Sequence, residues 1–234
     1  MSLDIKFSSP FSGYIEHPKP SLSHIPLEYK KMENHIDNKI KQTTVKKCIP
    51  FLDSLTCGYI IPFPMDLHFS YDKEKKQALF ELPDIPSYFN NSFEVEFHSD
   101  FQISKELKHV HRTIEGVFKF QNPWTITTPP GYSCIFTQPF NRNLPFKIID
   151  GIVDTDKFPF AVNFPFYWTN SVDIPFTLKA GSPMALVIPF KRDSWKMKVE
   201  VGKNPELDHL KRLNFFSKIM DNYKNKSWSK KQFK

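Results

Sequence analysis

Two histidines and a glutamate near the middle of the chain have the types and spacing of a metal-binding cluster. His109 and His111 are separated by one residue, and Glu115 follows four residues later. Because alternate side chains of a β-strand share a face, a strand here would place both imidazoles where they can share a metal ion. A polar loop over 105–112 with two solvent-facing histidines accounts for the same residues. The cofactor is therefore not assigned, and a divalent metal is the candidate.

The same three residues resemble the first metal motif of the cupins, which are β-barrel proteins. The second cupin motif would place a histidine three residues after Pro129-Pro130-Gly131, and Cys134 stands there instead. A thiolate can bind metal. A cupin-like metal-dependent enzyme is therefore one function that the sequence leaves open.

The composition favours a packed, β-rich protein and excludes a disordered chain. There are 24 Phe and 20 Pro against 7 Gly in 234 residues. Phe supplies apolar area for a core, whereas Pro interrupts helices and central strands. We predict short strands joined by Pro-marked turns in a core domain over 46–202. It follows an N-terminal arm, 1–45, that lies over this core or over a partner chain.

The net charge of +7 is concentrated at the C-terminal end. Residues 211–234 hold eight Lys and Arg against one Asp, which gives +7, so the other 210 residues balance to zero. A neutral body argues against a broad nucleic-acid-binding face. The basic tail is expected to contact phosphate, an acidic partner or only water.

Cysteine usage and hydropathy indicate a cytoplasmic protein with no membrane partner. The three cysteines lack metal-like spacing and are odd in number, which indicates reduced thiols. No apolar run approaches the length of a membrane span. If the protein is viral, the expected compartment is the cytoplasm of the host cell.

Alternating apolar residues and turn signals predict the strands. Residues 67–71 and 77–82 form a hairpin with a charged loop. Residues 146–153 form one strand that contains Gly151. Residues 176–178 and 184–190 form a second hairpin, which turns at Gly181.

Helix signals are few. Pro50 predicts the start of a short helix and Gly58 its left-handed end. The one long helix is predicted from Pro205 to about Lys224, because apolar residues recur there at helical spacing after an Asn-Pro start. It opens the C-terminal unit, 203–234, which ends in the basic tail.

Three stretches between Thr127 and Ile188 carry a family resemblance. Their order and rough spacing resemble motifs of the dUTPase and dCTP-deaminase superfamily: Thr127-Thr128-Pro129-Pro130-Gly131-Tyr132, Gly151-Ile152-Val153-Asp154-Thr155-Asp156, and Pro175-Phe176-Thr177-Leu178-Lys179-Ala180-Gly181-Ser182-Pro183-Met184-Ala185-Leu186-Val187-Ile188. About 70 residues are covered. The chain is also similar to an uncharacterised protein family of phages and bacteria, so a phage-encoded protein is one expectation.

The resemblance implies a mainly-β fold, a dUTPase-like β-clip or jelly-roll-like barrel, with the C-terminal α-helix added. It also implies a homotrimer and a nucleotide ligand. The ligand-binding candidates are Tyr132, Arg142, Asp154 and Asp156. Arg142 would meet a phosphate. Either carboxylate would orient water or contact a sugar hydroxyl, unless it caps its own turn.

Most of the family's catalytic residues are replaced. The serine of the Arg-Ser motif is missing around Arg142, and Lys157-Phe158-Pro159-Phe160 stands where the family has Tyr-Arg-Gly-Glu. Leu186 replaces the glutamine of the third motif, and no glycine-rich arm follows Gly202. We therefore expect a non-catalytic binding or structural protein on this fold. A nucleotide-processing enzyme with a rearranged site is the alternative.

Overall fold

Antiparallel strands dominate the chain, which confirms the predicted mainly-β class. The computed structural model describes residues 3–36, 43–72, 74–75, 77–82, 93, 95–98, 116–169, 175–199, 201, 209 and 223–234. The strands within these ranges are β1 (Lys6–Ser8), β2 (Lys19–Pro20), β3 (Tyr59–Pro62), β4 (Leu67–Asp72), β5 (Gln77–Glu81), β6 (Val95–His98), β7 (Val117–Phe120), β8 (Thr125–Thr127), β9 (Tyr132–Thr137), β10 (Phe146–Ile148), β11 (Gly151–Val153), β12 (Phe164–Trp168), β13 (Phe176–Leu178) and β14 (Pro183–Lys191).

The strands form four antiparallel sheets. The largest has the order β11-β9-β14-β3-β2, and a second has the order β10-β12-β7-β6. The smaller sheets are β13-β4-β5 and β1-β8. Within the described ranges these sheets do not close into a barrel, which differs from the barrel that the resemblance implies.

Two short helices lie in the N-terminal part of the chain, α1 (Leu27–Lys31) and α2 (Ile49–Thr56). α2 has Pro50 in its first turn, and Gly58 follows its end with φ +69°, as predicted. Most of the predicted helix from Pro205 lies outside the described residues, and residues 223–227 form a short π-helix. No helix in the described part of the chain is long and apolar enough to cross a membrane.

Two strand predictions are wrong in their pairing. The stretch 146–153 is divided into β10 and β11, which belong to different sheets. β13 and β14 flank the predicted turn but do not pair with each other, because β13 pairs with β4 and β14 pairs with β3 and β9. The turn between them is hydrogen-bonded to Phe63 instead. The Gly181 N–H donates to the Phe63 carbonyl, and the Phe63 N–H donates to the Ser182 carbonyl.

Aromatic rings fill the space between the two large sheets. Phe63, which follows β3, makes edge contacts with Phe120 and Phe146 at centroid distances of 5.1 and 5.7 Å. Phe120 and Phe166 are stacked at 3.7 Å. Such rings bury large apolar area and prefer these stacked and edge geometries. The Phe-rich composition is therefore explained by one continuous core.

The described N-terminal residues lie on the core, which is one of the two placements predicted for the arm. β1 pairs with β8, and β2 extends the five-stranded sheet beside β3. Between them, Ile15 is buried among the core residues. These contacts bring the first described residues close to the turn before β9.

Alanine substitutions of three glycines test this packing. A Cβ at Gly58 would lie 2.2 Å from the Val187 carbonyl oxygen, and its φ is left-handed. Strain and clash together should lower the free energy of unfolding by more than about 2 kcal/mol. Gly131 has φ +86° with open space around a Cβ, so the loss there should be only about 1 kcal/mol.

Gly13 provides the matched control, because it has open space and no left-handed φ. The free energy of unfolding measured in urea should be lower for Gly58→Ala than for Gly131→Ala. For Gly13→Ala it should lie within about 0.5 kcal/mol of the parent. Equal losses at Gly58 and Gly13 would contradict the close approach of Gly58 to β14.

Candidate functional site

Three strand ends meet at one end of the five-stranded sheet. β9 is antiparallel to both β11 and β14, so β9 begins where these two strands end. The register pairs Val153 with Cys134 and Lys191 with Tyr132. The residues that follow β11 and β14 are thereby placed beside the start of β9.

Asp156 and Arg192 form a nearly buried, bidentate ion pair at this point. Arg192 Nη1 donates to Oδ1 at 2.8 Å, and Nη2 donates to Oδ2. The Asp156 side chain is only 5% exposed, and its Oδ2 also accepts from Gly131 N–H at 2.8 Å. The Arg192 hydrogen bonds, helped by Gly131 N–H, lower the Asp156 pKa to about 2. This carboxylate is therefore ionised at neutral pH and occupied on both oxygens.

Asp154 is drawn into the same network but remains half exposed. Its Oδ1 accepts from Ser133 Oγ at 2.6 Å and lies 3.3 Å from Arg192 Nη1. Arg192 Nη1 also donates to Ser133 Oγ at 2.9 Å and to the Tyr132 carbonyl at 2.8 Å. We call Tyr132, Ser133, Asp154, Asp156 and Arg192 the Arg192 network. It unites three of the predicted ligand-binding candidates, namely Tyr132, Asp154 and Asp156.

Buried hydroxyls and a thiol lie beside this network. Thr128 and Thr155 share a hydroxyl hydrogen bond of 2.7 Å, and Thr155 Oγ1 donates to Cys134 Sγ at 3.3 Å. Burial raises the pKa of Cys134 to about 11. Because the thiolate is the form that binds metal or attacks substrate, Cys134 is a packing residue here. All three cysteines are free thiols.

Tyr132 lines an open cleft of about 530 Å³, which we call the Tyr132 cleft. Its walls are the N-terminal segment 3–5, the turn before β9 and the C-terminal residues 232–234. Tyr59 and Phe233 supply two further rings, in edge contact at 5.8 Å. Asp4 and Lys234 contribute opposite charges. The volume lies in the range of small-molecule sites.

The C-terminal strap, residues 228–234, is fastened to α2 by one carboxylate. Trp228 Nε1 donates to both oxygens of Asp53 at 3.1 Å, and Lys231 Nζ lies 2.6 Å from Oδ2. Tyr59 donates its hydroxyl hydrogen to the Lys234 carbonyl at 3.4 Å. Residues of α2 and of the strap together line a second cavity of about 510 Å³. Part of the basic tail thus contacts an acidic residue of its own chain.

Arg142 lies elsewhere, beside His24 and Glu28. Burial lowers the pKa of Arg142, and Glu28 opposes that change. Burial also lowers the pKa of His24, and Arg142 contributes to the decrease. In the described ranges, the buried His24 Nδ1 has no hydrogen-bond partner. Nothing among the described contacts joins Arg142 to Asp154 or Asp156, so the four ligand-binding candidates are not brought into one site.

The metal candidates His109, His111 and Glu115 lie outside the described residues. In the portion of the chain that is described, no group of three or more His, Cys, Asp and Glu side chains is placed to hold a metal ion. The metal site stays a prediction.

Sequence reasoning missed the two residues that organise the site, Arg192 and Ser133. Arg192 directly follows the apolar β14, and a charged residue at that position would ordinarily be solvated. The signal lay in the antiparallel register, since only pairing of β9 with both β11 and β14 places Arg192 opposite Asp156.

Comparison with models of known protein families gives no match, and no curated protein matches the chain. The candidate site is therefore identified from its hydrogen bonds, ion pair and cleft.

The Asp156–Arg192 pair predicts a specific acid sensitivity. The folded-state pKa of Asp156, about 2, lies below its ordinary value of 3.8. Its contribution to stability is therefore complete above pH 4 to 5 and is lost as the pH falls towards 2. Asp156→Asn should be less stable than the parent at pH 7, and the difference should shrink between pH 4 and 2. Urea unfolding across this range measures it.

Asp193→Asn is the matched control for the loss of one carboxylate. Asp193 pairs with Lys191 at the exposed surface and adjoins Arg192 in sequence, and exposed pairs contribute little. Its unfolding curve should follow the parent at every pH. A constant difference between the parent and Asp156→Asn from pH 7 to 2 would contradict the assigned pair.

Proposed function

We propose that this protein is a non-catalytic binding protein on a dUTPase-like scaffold, and that its Tyr132 cleft takes a nucleotide. The observation that carries the proposal is that Tyr132, whose backbone carbonyl is held by Arg192, lines an open cleft together with Tyr59 and Phe233. The Arg192 network holds the backbone of this wall, and Asp154 and Asp156 are not among the residues that line the cleft.

The chemistry of the cleft favours a planar ligand with an anionic group. Tyr59, Tyr132 and Phe233 offer π-surfaces on which a base can stack. Lys234 supplies a cation for phosphate, and Thr128 and Gln232 also line the cleft. Asp4, on the N-terminal wall, suits the N–H groups of a base edge.

The engaged carboxylates argue against hydrolysis at this site. A general base must be within reach of a water and be able to accept its proton. Asp156 is nearly buried, and both its oxygens accept hydrogen bonds from Arg192. Its lowered pKa makes it a weak base. This pattern agrees with the loss of the family's serine and glutamate from the sequence.

The enzymatic alternative rests on Asp154. This side chain is 53% exposed and engages neighbours through Oδ1, so Oδ2 can face a ligand. An enzyme with a rearranged site would use Asp154 as its base. The cupin-like alternative retains only His109, His111 and Glu115, because Cys134 is buried and protonated.

A ligand screen tests the proposal directly. We expect dUTP, dCTP or their monophosphates to raise the melting temperature, because a ligand that binds only the folded state stabilises it. Phe233→Ala should weaken the binding measured by calorimetry about tenfold, which is the scale of one lost stacking contact. Asp53→Asn removes the carboxylate that holds the strap to α2, and it should also lower the affinity for the nucleotide.

Phe140→Ala is the control, because it removes an exposed ring that does not line the cleft. Its affinity should equal that of the parent. Equal loss in Phe140→Ala and Phe233→Ala, or no stabilisation by any nucleotide, would contradict the proposed ligand class. Turnover of dUTP or dCTP, followed by chromatography, would overturn the non-catalytic assignment, and loss of that turnover in Asp154→Asn would establish the alternative.

A further inference from the structure

The second cavity, which is lined by Leu22, by residues of α2 and by the C-terminal strap, is distinct from the Tyr132 cleft. We call it the α2 cavity. Its volume of about 510 Å³ lies in the range of small-molecule sites. The strap residues 232–234 line both cavities, whereas Leu22 and the residues of α2 line only the α2 cavity. The last residues of the strap are therefore a wall that two separate cavities share.

Large apolar residues line the α2 cavity from both sides. Leu22 and Leu52 come from the N-terminal part of the chain, and Trp228 and Phe233 come from the strap. Leu22 is 59% exposed, so this part of the lining is accessible to a ligand. An apolar group that covers these residues is stabilised, because both surfaces are removed from water.

Positive charge accompanies this apolar lining. Lys230, Lys231 and Lys234 line the α2 cavity together with one acidic residue, Asp53, so three cations minus one anion leave two positive charges. Asp53 is already paired, since Lys231 Nζ lies 2.6 Å from its Oδ2. Among the described contacts, Lys230 and the Lys234 ammonium form no ion pair. Lys230 does not line the Tyr132 cleft, so its charge is available to a ligand of the α2 cavity.

The strap is fastened on both sides of the α2 cavity. Trp228 Nε1 donates to both oxygens of Asp53 at 3.1 Å, and the Asp53 side chain is only 17% exposed. At the other end, the Tyr59 hydroxyl donates to the Lys234 carbonyl at 3.4 Å, and the Tyr59 ring is in edge contact with Phe233. These contacts set the position of the strap without a ligand, as is usual for a pre-formed pocket.

We propose that the α2 cavity binds a small amphipathic anion, in which an apolar chain carries one carboxylate. The chain packs against Leu22, Leu52 and Trp228, and the carboxylate pairs with Lys230. Inorganic phosphate would leave the leucines in contact with water, and a neutral alcohol would leave the lysine without a counter-ion. Only a ligand with both parts matches the apolar lining and its charge.

Calorimetry on the full chain with decanoate, below its micelle concentration, tests the proposal. One decanoate should bind per chain, about fivefold more tightly than decanol, because only the carboxylate pairs with an exposed lysine. Acetate, which lacks the chain, and decyltrimethylammonium, which has the opposite charge, should not bind measurably. High salt should reduce the difference between decanoate and decanol, because it screens the ion pair.

Two pairs of surface variants locate the ligand. Leu22→Glu should weaken decanoate binding about tenfold or more, because it removes an apolar contact and adds a like charge. Leu27→Glu is its matched control, since Leu27 is 57% exposed and does not line the cavity. Lys230→Gln should weaken decanoate about fivefold and leave decanol unchanged. Lys224→Gln, which alters an exposed lysine outside the cavity, should leave both affinities unchanged.

Three results would overturn the proposal. They are equal affinities for decanoate and decanol, equal losses in Leu22→Glu and Leu27→Glu, and binding to anionic phospholipid vesicles without binding of free decanoate. The last result would make this surface a membrane contact. Leu22 and Lys230 do not line the Tyr132 cleft, so these outcomes are independent of whether a nucleotide binds there.

Discussion

The ion pair between Arg192 and Asp156 is the interaction on which this end of the molecule depends. It joins the residues that follow β14 and β11, and through the Tyr132 carbonyl it also holds the start of β9. A bidentate guanidinium–carboxylate contact fixes orientation as well as distance. Three strand ends that would otherwise fray are thereby held in one arrangement.

The Tyr132 cleft lies beside that pair. Tyr132 lines it, and its backbone carbonyl accepts a hydrogen bond from Arg192. The C-terminal strap completes the cleft from another direction, through Asp53 on α2. The cleft proposed for the ligand is thus bounded by two segments that side-chain hydrogen bonds hold in place.

The two carboxylates of this site differ in how far their hydrogen bonds engage them. Both lie in a stretch that resembles a motif of a nucleotide-processing family, and Asp156 is the counter-ion of Arg192. Its low pKa is a consequence of the hydrogen bonds that Arg192 donates. A fold does not specify a function, and the cleft beside these residues is the surface that suits a ligand.

The sequence by itself determined the local structure of this protein: the mainly-β class, α2 between Pro50 and Gly58, the β4–β5 hairpin and the aromatic core. These depend on alternation, turn residues and composition, which act over a few residues. Only the tertiary structure decided that β13 and β14 belong to different sheets, that Arg142 lies apart from Asp154, and that Arg192 completes the network. Those facts depend on strand register and on contacts between residues 36 to 60 positions apart, which no local pattern encodes.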